Sequence, residues 1–240
     1  MTAAPHRPGP LRTVALATLT IALAGVFVAL GWWQLERRAW KIDLIERVES
    51  RVAAPPVAPP GPQAWPDLSR ASAEYLRVAV EGRFLEQEAL VQALTEQAGY
   101  WVLSPFVTEG GQTVLVNRGF VPDRTTARPV AEGPQRIVGL LRMTEPDGGF
   151  LRANDPEAGR WYSRDVEAIA RDMGLDRVAP YFIDAEADAN GGTPPRGGLT
   201  VVQFRNTHLI YALTWFALAA MCVGATAIVI RAGLGRARGG

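Results

Sequence analysis

Sulfur and imidazole are scarce in this 240-residue chain. Its single cysteine, Cys222, sits inside an apolar run. That excludes intramolecular disulfides, Cys-x-x-Cys zinc sites, a copper-binding cysteine pair and covalent haem attachment through Cys-x-x-Cys-His. Two histidines, His6 and His208, are too few for a three-histidine zinc centre or a His-Glu-x-x-His protease. Lysine occurs once, at Lys41, outside any glycine-rich stretch, so there is no Walker A loop. No Gly-x-Ser-x-Gly elbow is present. A formal charge of +1 gives no basis for nucleic acid as a partner. An enzyme needs a convergent nucleophile and base, and neither histidine is placed for that, so the chain reads as a non-enzyme.

Charge is missing over two long stretches. None occurs from Thr13 to Leu35, 23 residues, or from Leu209 to Ile230, 22 residues. At about 1.5 Å per helical residue, both exceed the roughly 30 Å hydrocarbon core of a bilayer. The first has a basic start and an Ala-x-Ala match at Ala22-Leu23-Ala24, as a signal peptide would. Its apolar stretch continues well past Ala24 to Trp32 and Trp33, where an interfacial aromatic belt belongs, which favours an uncleaved anchor. The second contains the small residues Gly224, Ala225 and Ala227 and ends in Arg231, Arg236 and Arg238.

The expected organisation is a tail at 1–12, a transmembrane helix at 13–35, a domain at 36–208, a second transmembrane helix at 209–230 and a tail at 231–240. Both tails carry arginine and no acid, whereas the loop holds 20 basic and 24 acidic residues. Basic tails read as cytoplasmic, which places the loop outside. Arg37, Arg38 and Lys41 stand against this tendency, just beyond the first span.

The loop begins as a continuation of the helix, from Glu36 to Val52. Pro55 to Pro62 reads as an extended linker, neither helix nor sheet. Strands are predicted at Tyr75–Phe84, Ala89–Leu94, Tyr100–Thr108, Thr113–Val121 and Arg136–Met143. Arg164–Met173 has helical spacing, Pro180–Asp184 is a short strand, Asn190–Gly198 a loop and Leu199–Phe204 a last strand. The fold class is therefore a membrane protein with two transmembrane α-helices flanking a mainly antiparallel β (α+β) extracytoplasmic domain.

The candidate site lies where both spans enter the loop. Trp32, Trp33, Arg37, Arg38, Trp40 and Lys41 come to a similar depth as Arg205, His208, Tyr211 and Trp215. Helical spacing puts Phe204, His208, Tyr211 and Trp215 on one face. Histidine among flat side chains, beside guanidinium groups, suits a haem: imidazole ligates iron, rings stack on the macrocycle, and arginine pairs with propionates. The same residue types also populate an ordinary interfacial belt. Asp155, Glu157, Asp165 and Glu167 fit helix capping and solvated loops better than acid–base catalysis. Asn117-Arg118-Gly119 reads as a structural strand end. Gly191 to Gly198 is no phosphate cradle, because its prolines remove the needed amides.

Several segments together resemble one family. Gly31-Trp32-Trp33-Gln34-Leu35-Glu36-Arg37-Arg38-Ala39-Trp40-Lys41 resembles the signature closing the first span in the Surfeit locus protein family of cytochrome oxidase assembly factors. Gly99 to Phe106 is similar to its mid-domain strand, and Val114 to Pro122, with Asn117-Arg118-Gly119-Phe120, to its most recognisable strand. Asn154-Asp155-Pro156 through Trp161-Tyr162-Ser163-Arg164-Asp165 is similar to its asparagine-proline loop, and Phe204 to Trp215 to the start of its second span. The resemblance implies a bacterial-type two-span protein that helps haem a into subunit I of cytochrome c oxidase, with His208 at the haem-ligand position. It implies the bacterial plasma membrane or the mitochondrial inner membrane as location, of which the short N-tail without an Arg/Ser-rich transit segment favours the bacterial one. It implies subunit I, the haem a synthesis machinery and the lipid bilayer as partners. The alternative is a membrane-anchored sensor or binding module. A sensor needs a cytoplasmic output, and tails of 12 and 10 residues supply none.

Overall fold

The computed structural model describes residues 10–130, 132–149, 152–187, 193–200 and 206–237, with backbone alone for 10 and 234–237. The chain divides into two compact units, one built from residues 1–46 and 203–240, the other from 47–202.

Helix α1 runs Pro10–Ala53. Proline is favoured at a helix start, where its missing N–H costs nothing, and the Pro55-Pro56 pair forbids continuation past Ala54. The predicted span and its helical continuation are thus one helix. Helix α4 runs His208–Ala237. Both helices are long and apolar enough to cross a membrane, and only 11% of each apolar window is buried, unlike the core helix of a globular domain.

The second unit is a sheet closed on itself. Its strands are β1 (Arg77–Phe84), β2 (Ala89–Leu94), β3 (Ala98–Thr108), β4 (Thr113–Val121), β5 (Gln135–Met143) and β6 (Val178–Ala185). The order is β1-β5-β6-β4-β3-β2, and β1 also pairs with β3, completing a five-stranded ring that carries β2 on β3. Every pairing is antiparallel except β4–β6, which is parallel. Alternation sends Val78, Val80, Phe106, Val116, Ile137, Leu141, Tyr181 and Ile183 into the ring's interior. The opposite faces of β3, β4 and β6 present Leu103, Leu115 and Phe182 to Trp161 and to helix α3 (Val166–Asp172). Strand β4 is covered on both faces, and all nine of its residues are buried.

Local chemistry fixes the irregular parts. Helix α2 (Arg70–Ala73) starts on a Ser69–Ser72 capping box. Asp165 caps α3 by accepting from the Ala168 N–H, and Glu167 pairs with Arg171, so these acids serve structure as their sequence context suggests. The Asn154 amide oxygen accepts from the Tyr162 and Ser163 N–H groups and pins the loop that lays Trp161 into the outer cluster.

Two expectations need correction. The proline-rich segment is not outside the sheet: Val57 N–H donates to Arg77 O at 3.0 Å and Val57 O accepts from Ala79 N–H at 2.9 Å. Proline-flanked Val57 still has its own N–H, so it can join an edge. Residues 199–200 are not strand, and the rest of the expected last strand, 201–204, lies outside the described residues, as do Asn190 to Gly192 of the preceding loop.

Candidate functional site

In the first unit the less exposed positions of α1 include Thr13, Ala17, Thr20, Ala24, Phe27, Gly31, Gln34 and Arg38, with Leu30 and Leu35 flanking them. Those of α4 include His208, Ala212, Trp215, Ala219, Cys222, Thr226, Val229 and Gly233, with Phe216, Leu218 and Ala225 flanking them. Both sets step by alternating fours and threes, the spacing of a coiled-coil seam. The helices run antiparallel: a Cβ on Gly233 would meet Thr13 at 2.7 Å, one on Gly31 would meet Phe216 at 2.6 Å, and the Thr20 and Thr226 hydroxyls hydrogen-bond at 2.6 Å. Small residues admit close backbones, and the hydroxyl pair ties the two helices.

This seam delivers His208 to Gln34, with Nδ1 to Oε1 at 2.7 Å. A carbonyl oxygen only accepts, so Nδ1 carries the proton and Nε2 keeps the lone pair in the neutral ring. The buried Asn206 Oδ1, two residues earlier, has no hydrogen-bond partner among the described residues. Gln34 was not anticipated as a partner of His208. Its signal was an amide at the seam spacing, three residues past Gly31, inside a charge-free run.

The other predicted site residues are not all gathered around the histidine. Trp215 is half-buried and stacks on Phe27, with ring centroids 5.6 Å apart. Tyr211 is 55% exposed, and Ala212, not Tyr211, follows His208 on the seam. A three-residue step falls 60° short of a full turn, which carries Tyr211 off the face that His208 and Trp215 share. Trp32 and Trp33 are 61% and 54% exposed, and Trp32 Nε1 donates to Glu36 Oε1 at 3.0 Å. The Arg37 guanidinium sits 3.9 Å from the Trp40 ring centroid, whereas Arg38 is half-buried on the seam side. Phe204 and Arg205 lie outside the described residues. The histidine therefore fits an axial iron ligand, with its second nitrogen oriented by an acceptor. Among the described residues, aromatic side chains do not enclose it.

Among the described residues, no three His, Cys, Asp or Glu side chains converge as a metal site. The second unit instead holds a charged cluster that sequence reasoning missed. The Asp184 carboxylate accepts from Asn117 at 2.8 Å, Thr200 at 2.9 Å, Arg142 at 3.0 Å and Arg164 at 3.3 Å. Arg142 also reaches Glu74 at 2.8 Å, and Arg164 reaches Glu145 at 2.6 Å. Burial opposes the charge of Glu145, but the hydrogen bond and charge of Arg164, with the charge of Arg142, outweigh it and hold its pKa below the usual carboxylate value. Every member is paired, which marks the cluster as a structural tie. Arg118 is likewise structural: buried in β4, it donates to the carbonyls of Arg128 and Pro129 and anchors their loop.

Comparison with known proteins agrees with the resemblance that the motifs carry. The SURF1 family matches residues 21–220. Surfeit locus protein 1 of Homo sapiens is 38% identical over 216 residues, covering 80% of this chain and 69% of that protein. The Mus musculus protein of the same name is 37% identical over 215 residues, covering 80% and 68%. A SURF1-like protein of Monosiga brevicollis is 36% identical over 228 residues, covering 87% and 85%.

Proposed function

The chain belongs to the SURF1 family, and on that premise we propose that it is an assembly factor for a haem-copper cytochrome c oxidase, assisting haem a on its way into subunit I. Both apolar helices span the membrane in this reading, the β unit lies outside the cytoplasm, and the basic tails remain inside, in a bacterial plasma membrane. Subunit I and the haem a synthesis machinery are the partners.

The observation that carries the reading is the Gln34–His208 hydrogen bond. It joins side chains 174 residues apart, one from each span-boundary motif. As cargo, the haem brings an iron that accepts an electron pair from imidazole. Gln34 holds the Nδ1 proton, so Nε2 faces outward in a single tautomer. Arg38, on the seam side, is better placed than Arg37 to meet a propionate. Trp32, Trp33 and Tyr211 stay open on the outer faces, where they meet the oxidase, so the cargo is shared between two proteins instead of enclosed by one.

The test is the absorption spectrum of the detergent-purified chain, co-expressed with haem a synthesis. The wild-type chain carries a ligated-haem spectrum. His208→Ala inserts normally, because alanine is a good helix former, and loses that spectrum. Gln34→Ala keeps the ligand but lowers haem occupancy by roughly tenfold or more. A His208→Ala chain that copurifies with undiminished haem a and an unaltered spectrum refutes the assignment. The sensor or binding-module alternative leaves haem loading of the oxidase unchanged in both variants.

A further inference from the structure

Three departures from regular strand geometry converge on one spot of the β unit, and none serves His208. First, β3 and β4 pair Trp101 with Phe120 and Leu103 with Asn117. The step is two residues on β3 but three on β4, so a bulge turns Phe120 onto the Trp101 face. The two rings meet edge-on, with centroids 5.8 Å apart. Second, Gly99 is bare beneath them: a Cβ there would lie 2.3 Å from Phe120 Cζ. Third, Gly119 adopts φ +131°, and a Cβ on it would lie 2.2 Å from the Arg196 backbone. That bareness admits Arg196, whose N–H donates to Phe120 O at 3.0 Å while Phe120 N–H donates to Arg196 O at 2.9 Å.

Together these contacts wall a half-open cavity of about 450 Å³. Trp101, Phe120, Leu94 and Leu199 line it, together with the charged Glu96 and Arg196. This volume suits a small molecule, as does an apolar lining with a few polar groups. Leu94 is 84% exposed, an apolar side chain left in water. Among the described residues, Arg196 forms no ion pair with a carboxylate. Glu96 sits in the β2–β3 turn and Arg196 on the segment paired to β4, so their charges reach the cavity from separate parts of the chain. An added peptide strand finds little edge here: the Arg196 segment takes that of β4, and Trp161 bridges Val91 of β2.

We propose that this cavity binds a flat apolar molecule with a carboxylate at one end and a hydrogen-bond donor at the other. The body lies against Trp101 and Phe120, the acid meets Arg196, and the donor meets Glu96. A guanidinium pairs bidentately with a carboxylate, and an aromatic wall supplies area without a directional demand. The motifs around Gly99 and Gly119 thereby acquire a role that haem handling does not give them.

The probe is 6-hydroxy-2-naphthoic acid, titrated into the full chain in lipid nanodiscs, with empty nanodiscs as background and 6-hydroxy-2-naphthamide as the neutral comparator. The expected result is saturable one-to-one binding of the acid above background, tighter than the amide. Arg196→Gln weakens the acid by about tenfold and leaves the amide unchanged. Leu94→Glu, at a solvent-facing position that keeps the fold, weakens the acid by placing an anion at the mouth. Binding no greater than in empty nanodiscs overturns the proposal, as does equal affinity of the acid for wild type and both variants. Affinity lost in Leu94→Glu alone overturns the pairing of the acid with Arg196. His208→Ala leaves probe binding intact, so failure here and failure of the haem reading are told apart.

Discussion

Replacing Arg142 with methionine removes one cation from the midst of three carboxylates. The guanidinium lies 2.8 Å from Glu74, 3.0 Å from Asp184 and 3.7 Å from Glu145, and 4.9 Å from the Tyr75 ring centroid. Methionine keeps the apolar stem against Phe182 but leaves Glu74 and Asp184, 10% and 3% exposed in their side chains, without that partner. Removing one member of a buried ion pair costs about 3–5 kcal/mol, because the remaining charge stays desolvated. For a domain of this size, 1 kcal/mol shifts the unfolding midpoint by roughly 2–4 °C, so Arg142→Met should melt roughly 6–20 °C lower at pH 7.5. The assay is thermal unfolding of the full chain in detergent, followed by near-ultraviolet circular dichroism. The pH dependence carries the diagnostic sign. Wild-type Glu145 has a depressed pKa, so its contribution is present above its ordinary 4.5 and is lost as pH falls through the folded value. Without Arg142 that depression shrinks, and the gap between the two proteins narrows on acidification. A destabilisation below about 1 kcal/mol at neutral pH refutes the reasoning, since that is the range of an exposed ion pair. So does a gap that widens as pH falls.

Two further outcomes follow from contacts elsewhere. Gly31→Leu forces the Phe216 ring out of the helix seam. In a Cys222→Ser background, disulfide formation between Thr20→Cys and Thr226→Cys should then drop well below that of the Gly31 parent; undiminished cross-linking would show that the seam tolerates bulk. Tyr181 is buried with its hydroxyl donating to Pro60 O at 2.8 Å, and burial pushes its pKa from 10.0 up to about 12. The folded state holds that proton longer than the unfolded chain, so stability declines as pH rises from about 10 to about 12, a decline that Tyr181→Phe should abolish in alkaline melts.

Much of the β unit was legible because alternation reports which face of a strand is wet. Ala89–Leu94 and Thr113–Val121 match their predicted bounds, and the other strands shift by at most two residues at either end. Partners were not legible, because periodicity records burial and not what lies across it. Nothing near Val178 signals a parallel neighbour at Thr113, 65 residues earlier, and the prolines around Val57 hide a residue that can still pair. The charged cluster escaped for the same reason: Glu74, Arg142, Arg164 and Asp184 look like ordinary surface charges until the fold brings them together. At the candidate site, residue types singled out His208 as a candidate, and only the antiparallel seam brought Gln34 to it. Tyr211 was misplaced because helical spacing alone leaves open which way the buried stripe drifts along a supercoiled pair.

The position of β6 bears on how the chain is made. Of the described strands it is the last to be synthesised, yet it occupies the gap between β4 and β5, which follow each other directly in the chain. Until Val178 to Ala185 emerges, β4 and β5 hold facing edges that cannot satisfy each other, and open edges invite pairing with the wrong chain. The domain is completed by a keystone and cannot grow strand by strand. A stop codon anywhere before residue 178 therefore removes far more than the missing segment: it leaves the ring unclosed, takes Tyr181 and Ile183 from the interior, and deprives two arginines of Asp184. Shortened products of this kind should accumulate as insoluble or degraded material, including those that keep all five earlier strands.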